Sequence, residues 1–327
     1  MHGENGHELL TDLYQLTMAQ GYWETGQGAT QACFHAYFRD YPFRGGYAIA
    51  CGMDQLAELI EGFAFSAEDV DYLASLDAPG GGRLFKPAFL EYLRTFSLRV
   101  DVDAVAEGAV VFPHEPIVRV MGPIMDCQLI ETALLNCVNF ETLIATKAAR
   151  VCLAAQAPVA EFGLRRAQGA GGGLWASRAA VVGGCASTSN VLAGKLFDIP
   201  VSGTHAHSWV MSFPDELTAF RAYAEAFPKN CVLLVDTYDI RQGVINAVEA
   251  ARAAGGELGA VRLDSGDLVA QAFKVRGQLD AMGATSTKIT VTSDLDEYAI
   301  AALGAAPVDS YGVGTKLVTG SGVPTAA

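Results

Sequence analysis

In the C-terminal half of the chain, short apolar runs end in polar residues at a fixed interval. VLLVD ends at Asp236, AVRLD at Asp264 and ITVT at Thr292, so each step is 28 residues. One strand, one helix and two loops fill such a step, and its recurrence predicts a parallel β/α barrel. A doubly wound open sheet is the alternative. Two further strands are expected at 159–163 and 308–315. In either architecture the polar residues at the C-terminal strand ends face the ligand, so the chemistry is sought there.

The N-terminal part has a different character. Residues 9–23 (LLTDLYQLTMAQGYW) space their apolar side chains as a helix does, with Thr11-Asp12 placed to cap it. The aromatic stretch 32–50, broken by Pro42 and Gly45-Gly46, predicts a hairpin. Alternation over 98–121 predicts strands of a half-exposed sheet, turning at Glu107-Gly108 and between Pro113 and Pro116. From Cys127 to Ala155 neither Gly nor Pro interrupts apolar residues at i, i+3, i+4 and i+7, which predicts one long buried helix or two. The expected division is an α+β domain over 1–125 and a barrel-like domain over 126–327.

Composition narrows the partners. With 22 Lys and Arg against 36 Asp and Glu, the net charge of −14 repels phosphate backbones and anionic membranes. Nucleic acid and membrane are therefore not expected as partners, and a phosphorylated substrate needs a local cluster of cations and N–H groups. Seven cysteines with no C-x-x-C pair suggest reduced thiols in a cytoplasm. The first fifteen residues lack the pattern of a leader, and no run approaches the ~18 apolar residues of a membrane span.

Four segments carry candidate chemistry. EFGLRRAQG ends a strand with Arg165 and Arg166, suited either to bidentate capture of phosphate or carboxylate or to a surface ion pair. The glycines that follow, Gly169 and Gly171 to Gly173, suggest a flexible loop able to close over a ligand. VRLDSGDL places Arg262 and Asp264 at a strand end, where the arginine can hold an anion and the carboxylate can steady positive charge; Asp267 reads better as a helix cap. In SGTHAHSWV, His205 and His207 are two residues apart, with no third ligand at a zinc-like spacing. Each is either a core histidine or a nucleophilic imidazole, with Asp236 the candidate carboxylate partner. YGVGTK supplies Gly312, Gly314, Thr315 and Lys316, ingredients of a phosphate cradle after a late strand, although neither a Walker A nor a dinucleotide fingerprint is present.

Taken together, TDLYQLTMAQGY, FGLRRAQG, STSN, GTHAHSW, VDTYDI, RLDSGDL, TSDLDE and YGVGTKLVTGSG resemble the nicotinate phosphoribosyltransferases in order and spacing over nearly the whole chain. The resemblance implies a type II phosphoribosyltransferase-like β/α barrel with an N-terminal α+β domain. It implies that nicotinate is joined to 5-phosphoribosyl 1-diphosphate, with ATP and Mg²⁺, for NAD synthesis. By the same resemblance His207 is the residue transiently phosphorylated by ATP, oriented by Asp236, with His205 having the lesser claim. Phe162 and Tyr14 sandwich the pyridine ring, Tyr14 arriving from the second subunit of a homodimer. Arg262 faces the nicotinate carboxylate, Arg165 the phosphoribosyl donor, and Gly312, Gly314 and Thr315 its 5-phosphate; Asp264 lies beside the ribose and its metal.

Relatives that use nicotinamide carry aspartate where this chain has Ser189, so serine implies preference for the acid. Quinolinate phosphoribosyltransferases share the barrel without the AHS histidine. Family members continue beyond KLVTGSGVPTAA, and an inactive, shortened homologue that retains ligand or subunit binding is the expectation set against activity.

Overall fold

The computed structural model describes residues 9–229 and 231–320. The first eight residues of the segment read for a leader and the last seven residues of the chain lie outside them. The chain divides into two compact units, one ending at Thr146 and the other beginning at Lys147.

In the first unit, α1 (Leu13–Thr25) starts directly after Asp12, which occupies the cap position without a side-chain bond, and stops at Gly26 in the left-handed conformation. Strands β1 (Gln31–Ala36) and β2 (Ala48–Ile49) follow; then come α2 (Met53–Glu61), α3 (Ala67–Ser75) and α4 (Pro87–Arg94). Strands β3 (Asp101–Ala104), β4 (Val110–Val111) and β5 (Val118–Pro123) lead into α5 (Ile124–Leu129) and α6 (Glu131–Ala154), which starts in this unit. The buried segment from Cys127 is thus helical with a break at Ile130. The hairpin expected over 32–50 does not form. β1 pairs antiparallel with β5, which in turn pairs with β3, whereas β2 pairs with β4 in a separate ribbon. Both partners come from the 98–121 region, whose alternating strands offer a buried face that a hairpin alone would lack. An aromatic cluster of Phe63, Phe65, Phe89, Tyr92 and Phe96 fills the core, with Phe63 and Phe65 packed edge to face at 5.6 Å.

The second unit carries the parallel sheet. Its strands are β6 (Val159–Glu161), β7 (Ser187–Thr188), β8 (Val232–Leu234), β9 (Ala260–Leu263), β10 (Lys288–Val291) and β11 (Ser310–Val313). Val232 sits opposite Ala260, and Ala260 opposite Lys288, so the 28-residue interval is the register of the sheet itself. From β8 the order runs through β9, β10 and β11 to β6 and β7, every pair parallel. A parallel bridge from Thr188 to Val201 carries it one segment further. That order is the chain order taken cyclically, as a barrel requires and a doubly wound sheet does not. Among the described residues, backbone pairing does not close the remaining seam beside β8. There the β8 N–H of Leu234 donates to Nε2 of His205 at 3.2 Å.

Helices α7 (Gly169–Val182), α8 (Val191–Phe197), α9 (His207–Met211), α10 (Glu216–Ala226), α11 (Ile240–Ala253), α12 (Leu268–Ala281), α13 (Glu297–Ala302) and α14 (Thr315–Val318) connect the strands. Asn190, Asp215, Asp239, Asp267 and Asp296 cap five of them by accepting backbone N–H bonds, so part of the acidic excess is consumed at helix starts. Asp267 is the cap expected of it. The glycine-rich run is no loop, because it forms the first turns of α7. A Cβ on Gly173 would come within 2.7 Å of Leu164 Cδ1, so close packing accounts for that glycine. Leu233, Leu234, Val261, Leu263, Ile289, Val291 and Val313 are fully buried. Among the described residues no helix is long and apolar enough to cross a membrane.

Candidate active site

The C-terminal strand ends of the second unit present the polar residues singled out above. β8 leads to Asp236 and Thr237, β9 to Asp264, and β10 to Thr292. His207 opens α9, its ring half exposed. Its Nε2 lies 3.9 Å from Asp236 Oδ1 and 3.6 Å from Asp264 Oδ2. The hydrogen bond that fixes the imidazole is made by Nδ1 with Thr237 Oγ1 at 3.1 Å. The hydrogen bond to the ring thus comes from Thr237, with Asp236, the partner expected from sequence, facing Nε2 at the longer distance. Asp236 is instead engaged through Oδ2, which accepts from Asp264 N–H at 2.8 Å and from the Ser265 hydroxyl at 2.6 Å. Its side chain is fully buried and Oδ1 has no hydrogen-bond partner among the described residues. Asp264 is tied in turn by the hydroxyl of Thr292.

His205 plays a different part. It is buried, 4.8 Å centroid to centroid from Tyr223, and its Nε2 accepts the Leu234 N–H while Nδ1 lies 3.3 Å from Ala206 O. Those partners require a neutral ring protonated on Nδ1. Burial first, then the positive charges of Arg262 and His207, push its pKa down to about 4. Of the two readings open from sequence, this histidine is the core one.

Arg262 projects from β9 and donates from Nη1 to Thr204 Oγ1 at 2.6 Å, while Nε has no partner among the described residues. Burial lowers its pKa, and Asp264 and Asp236 work in the opposite direction. Arg165 is close enough to act on the same guanidinium as a repelling charge. Two arginines within electrostatic reach of each other, one half-buried with an N–H unpaired among the described residues, are suited to an anion.

Phe162 follows β6 and meets the glycines of β11. A Cβ on Gly312 would lie 2.6 Å from the Phe162 ring and 2.7 Å from the Thr292 methyl; one on Gly314 would lie 3.2 Å from Phe162 O. Gly312 is thus needed to seat the ring, a role its placement in a phosphate cradle did not suggest. Gly314 caps α14, whose first residues Thr315 and Lys316 are exposed. Ser189 is half-buried at the end of β7, held by its N–H to Glu161 O at 2.9 Å.

Glu161 ties this side of the rim together. Fully buried, it accepts from Gly163 N–H through Oε1, and through Oε2 from Ser177 Oγ at 2.9 Å and Thr188 Oγ1 at 2.6 Å. Asn190 Nδ2 extends the network to Ser177 at 3.1 Å. Glu161, Thr188, Thr204 and Thr237 were missed from sequence, where Thr292 was marked only as a polar strand end. The available signal was a glutamate inside an apolar strand, and threonines at the same strand ends as the aspartates. In the first unit, Tyr14 lies on α1 and is 49% exposed, with Leu10, Leu13 and Met18 exposed on the same helix and its approach.

Residues 9–139 match the family model described as nicotinate phosphoribosyltransferase N-terminal domain. Over 317 residues the chain is 48% identical to a nicotinate phosphoribosyltransferase of Bacillus subtilis (strain 168), covering 95% of this chain and 63% of that protein. It is 43% identical to nicotinate phosphoribosyltransferase pncB1 of Mycobacterium tuberculosis, covering 97% of this chain and 70% of the relative. Among solved structures, human nicotinic acid phosphoribosyltransferase superposes with a TM-score of 0.83 at 35% identity, covering 97% of this chain and 74% of the human one. The chain thus spans a little under two thirds of the Bacillus protein.

Proposed function

Because the chain belongs to the nicotinate phosphoribosyltransferase family, we propose that it joins nicotinate to 5-phosphoribosyl 1-diphosphate, giving nicotinate mononucleotide and diphosphate with coupled hydrolysis of ATP. One observation carries this reading: His207 Nε2 faces two carboxylates at the ends of adjacent strands, 3.9 and 3.6 Å away. With Nδ1 committed to Thr237, Nε2 is the nitrogen left to take a phosphoryl group from ATP. Asp236 and Asp264 are then placed to steady the imidazolium that forms as the phosphoryl group is passed on.

The glycosyl step needs no protein nucleophile. As diphosphate departs, C1 of the ribose becomes an oxocarbenium-like cation, which the Asp264 carboxylate stabilises. Arg262 clamps the nicotinate carboxylate with its free Nε–H. Phe162, seated on Gly312, stacks against the pyridine ring and aims the ring nitrogen at C1. Arg165 attracts the phosphoribosyl donor, while the backbone at Gly314 and Thr315 receives its 5-phosphate. Asp236 Oδ1 and Asp264 Oδ2 are oxygen donors of the kind a hard divalent cation takes, so these residues fit Mg²⁺. When bound, Mg²⁺ neutralises the charge that develops on the leaving diphosphate.

Tyr14 completes the ring sandwich from the second subunit of a homodimer, and the exposed apolar residues around it on α1 support that assignment. Ser189, in place of an aspartate, favours nicotinate over nicotinamide. A cytoplasmic location accords with seven free cysteines. The test is a nicotinate-dependent assay of mononucleotide formation with γ-labelled ATP. The unaltered chain should acquire label and be stimulated by ATP, whereas His207→Ala should do neither and retain slow uncoupled synthesis. Equal labelling of the variant would refute the assignment.

A further inference from the structure

Two thiols in the second unit stand apart from the rim chemistry. Cys152, near the end of α6, and Cys185, between α7 and β7, have their sulfurs 3.9 Å apart. Cys152 is partly open to solvent and Cys185 is buried. Gly184, immediately before Cys185, has φ +112, and a Cβ there would lie 3.4 Å from Cys152 Cβ and 3.6 Å from its sulfur. The missing side chain leaves room beside Cys152 and gives the backbone next to Cys185 torsional freedom. The hydrogen bond shared with Cys185 holds the Cys152 thiol below its ordinary pKa, whereas burial raises Cys127 and Cys231 and pushes Cys137 up to about 12.

We propose that Cys152 and Cys185 form a dithiol modification site, which a hydroperoxide converts to an intramolecular disulfide. The Cys152 thiolate attacks one peroxide oxygen and the O–O bond breaks. The other oxygen leaves with a proton as water or alcohol, and Cys152 is left as a sulfenic acid. Cys185 sulfur then attacks the Cys152 sulfur, the S–O bond breaks, and the departing hydroxide takes the Cys185 proton as water. The two thiols give up two electrons and the peroxide receives them.

An S–S bond of ~2.05 Å requires the sulfurs to close by nearly 2 Å. Cys185 bears that motion close to β7, since Ala186 N–H is bonded to Val159 O and the strand begins at the next residue. Oxidation therefore pulls on the strand that leads to Ser189.

The full chain is treated with one equivalent of hydrogen peroxide; remaining thiols are then alkylated and the unreduced peptides mapped by mass spectrometry. The Cys152–Cys185 peptide should be the main cross-link, reversed by dithiothreitol, with faster amide exchange at residues 187–189 in the oxidised protein. Cys185→Ser should accumulate a dimedone-reactive sulfenic acid at Cys152, and Cys152→Ser should yield neither product. Oxidation falling first on the exposed Cys33 with no Cys152–Cys185 link, or no sulfenic acid at Cys152 in Cys185→Ser, would overturn the proposal.

Discussion

Acidification should weaken the barrel at its seam, with His205 setting the pH at which it happens. The ring is 8% exposed, packed against Tyr223, and its Nε2 lone pair is occupied by the Leu234 N–H. A proton on Nε2 would break that bond and place a buried positive charge near Arg262. The unfolded chain takes up this proton as pH falls through 6.5, whereas the folded protein resists until about 4. Between those values the unfolded state binds more protons, so stability declines as pH falls and the contribution is gone below about 4. At ~1.4 kcal/mol per pKa unit, the contribution present above pH 6.5 is at most ~3.5 kcal/mol. His205→Gln keeps an acceptor for Leu234 N–H but does not titrate, so subtracting its behaviour removes the carboxylates common to both proteins. Urea unfolding of the two proteins from about pH 7.5 down to about 4 supplies the comparison. The unaltered protein should lose ~2–3 kcal/mol relative to His205→Gln across the window. Parallel stability curves would refute the reasoning.

Three further outcomes are expected. Arg262→Ala should raise the nicotinate KM ~30-fold or more, since truncating one partner of a buried charge pair costs at least ~2 kcal/mol; an unchanged KM would move the carboxylate station elsewhere. Gly312→Ala should destabilise the protein by ~1–3 kcal/mol and displace Phe162, which nicotinate titration and thermal melting would register. Glu161→Ala leaves the Gly163 N–H and the Thr188 hydroxyl unpaired at ~1–3 kcal/mol each, while Ser177 keeps Gly173 O as an acceptor, and should destabilise by ~2–6 kcal/mol, with a loss below ~1 kcal/mol in urea unfolding contradicting the network.

The barrel was legible because its parallel strands repeat their spacing in sequence, and the interval between Val232, Ala260 and Lys288 is the pairing register itself. Antiparallel pairing in the first unit left no such trace. β1 finds β5 across most of that unit, and nothing local to 32–50 announces a partner so far along the chain. At the rim, aspartates drew attention because a carboxylate has few bland uses, while Thr237 did not, and the threonine makes the bond to His207. The glycines after Gln168 looked like a loop because the one contact that requires a glycine, that of Gly173 with Leu164, depends on a neighbour's position in space. His205 remained ambiguous for the same reason, since its acceptor role depends on a backbone N–H 29 residues later.

The single carboxylate of Glu161 bonds to the turn after Phe162, to α7 and to the strand leading to Ser189. The residue proposed to stack and the residue proposed to discriminate acid from amide are consequently not separate dials. A change intended to retune one is transmitted through a rigid common anchor to the other. Altered pyridine preference would thus come from coordinated substitutions on both branches, and single exchanges at Ser189 would trade selectivity against alignment of the ring.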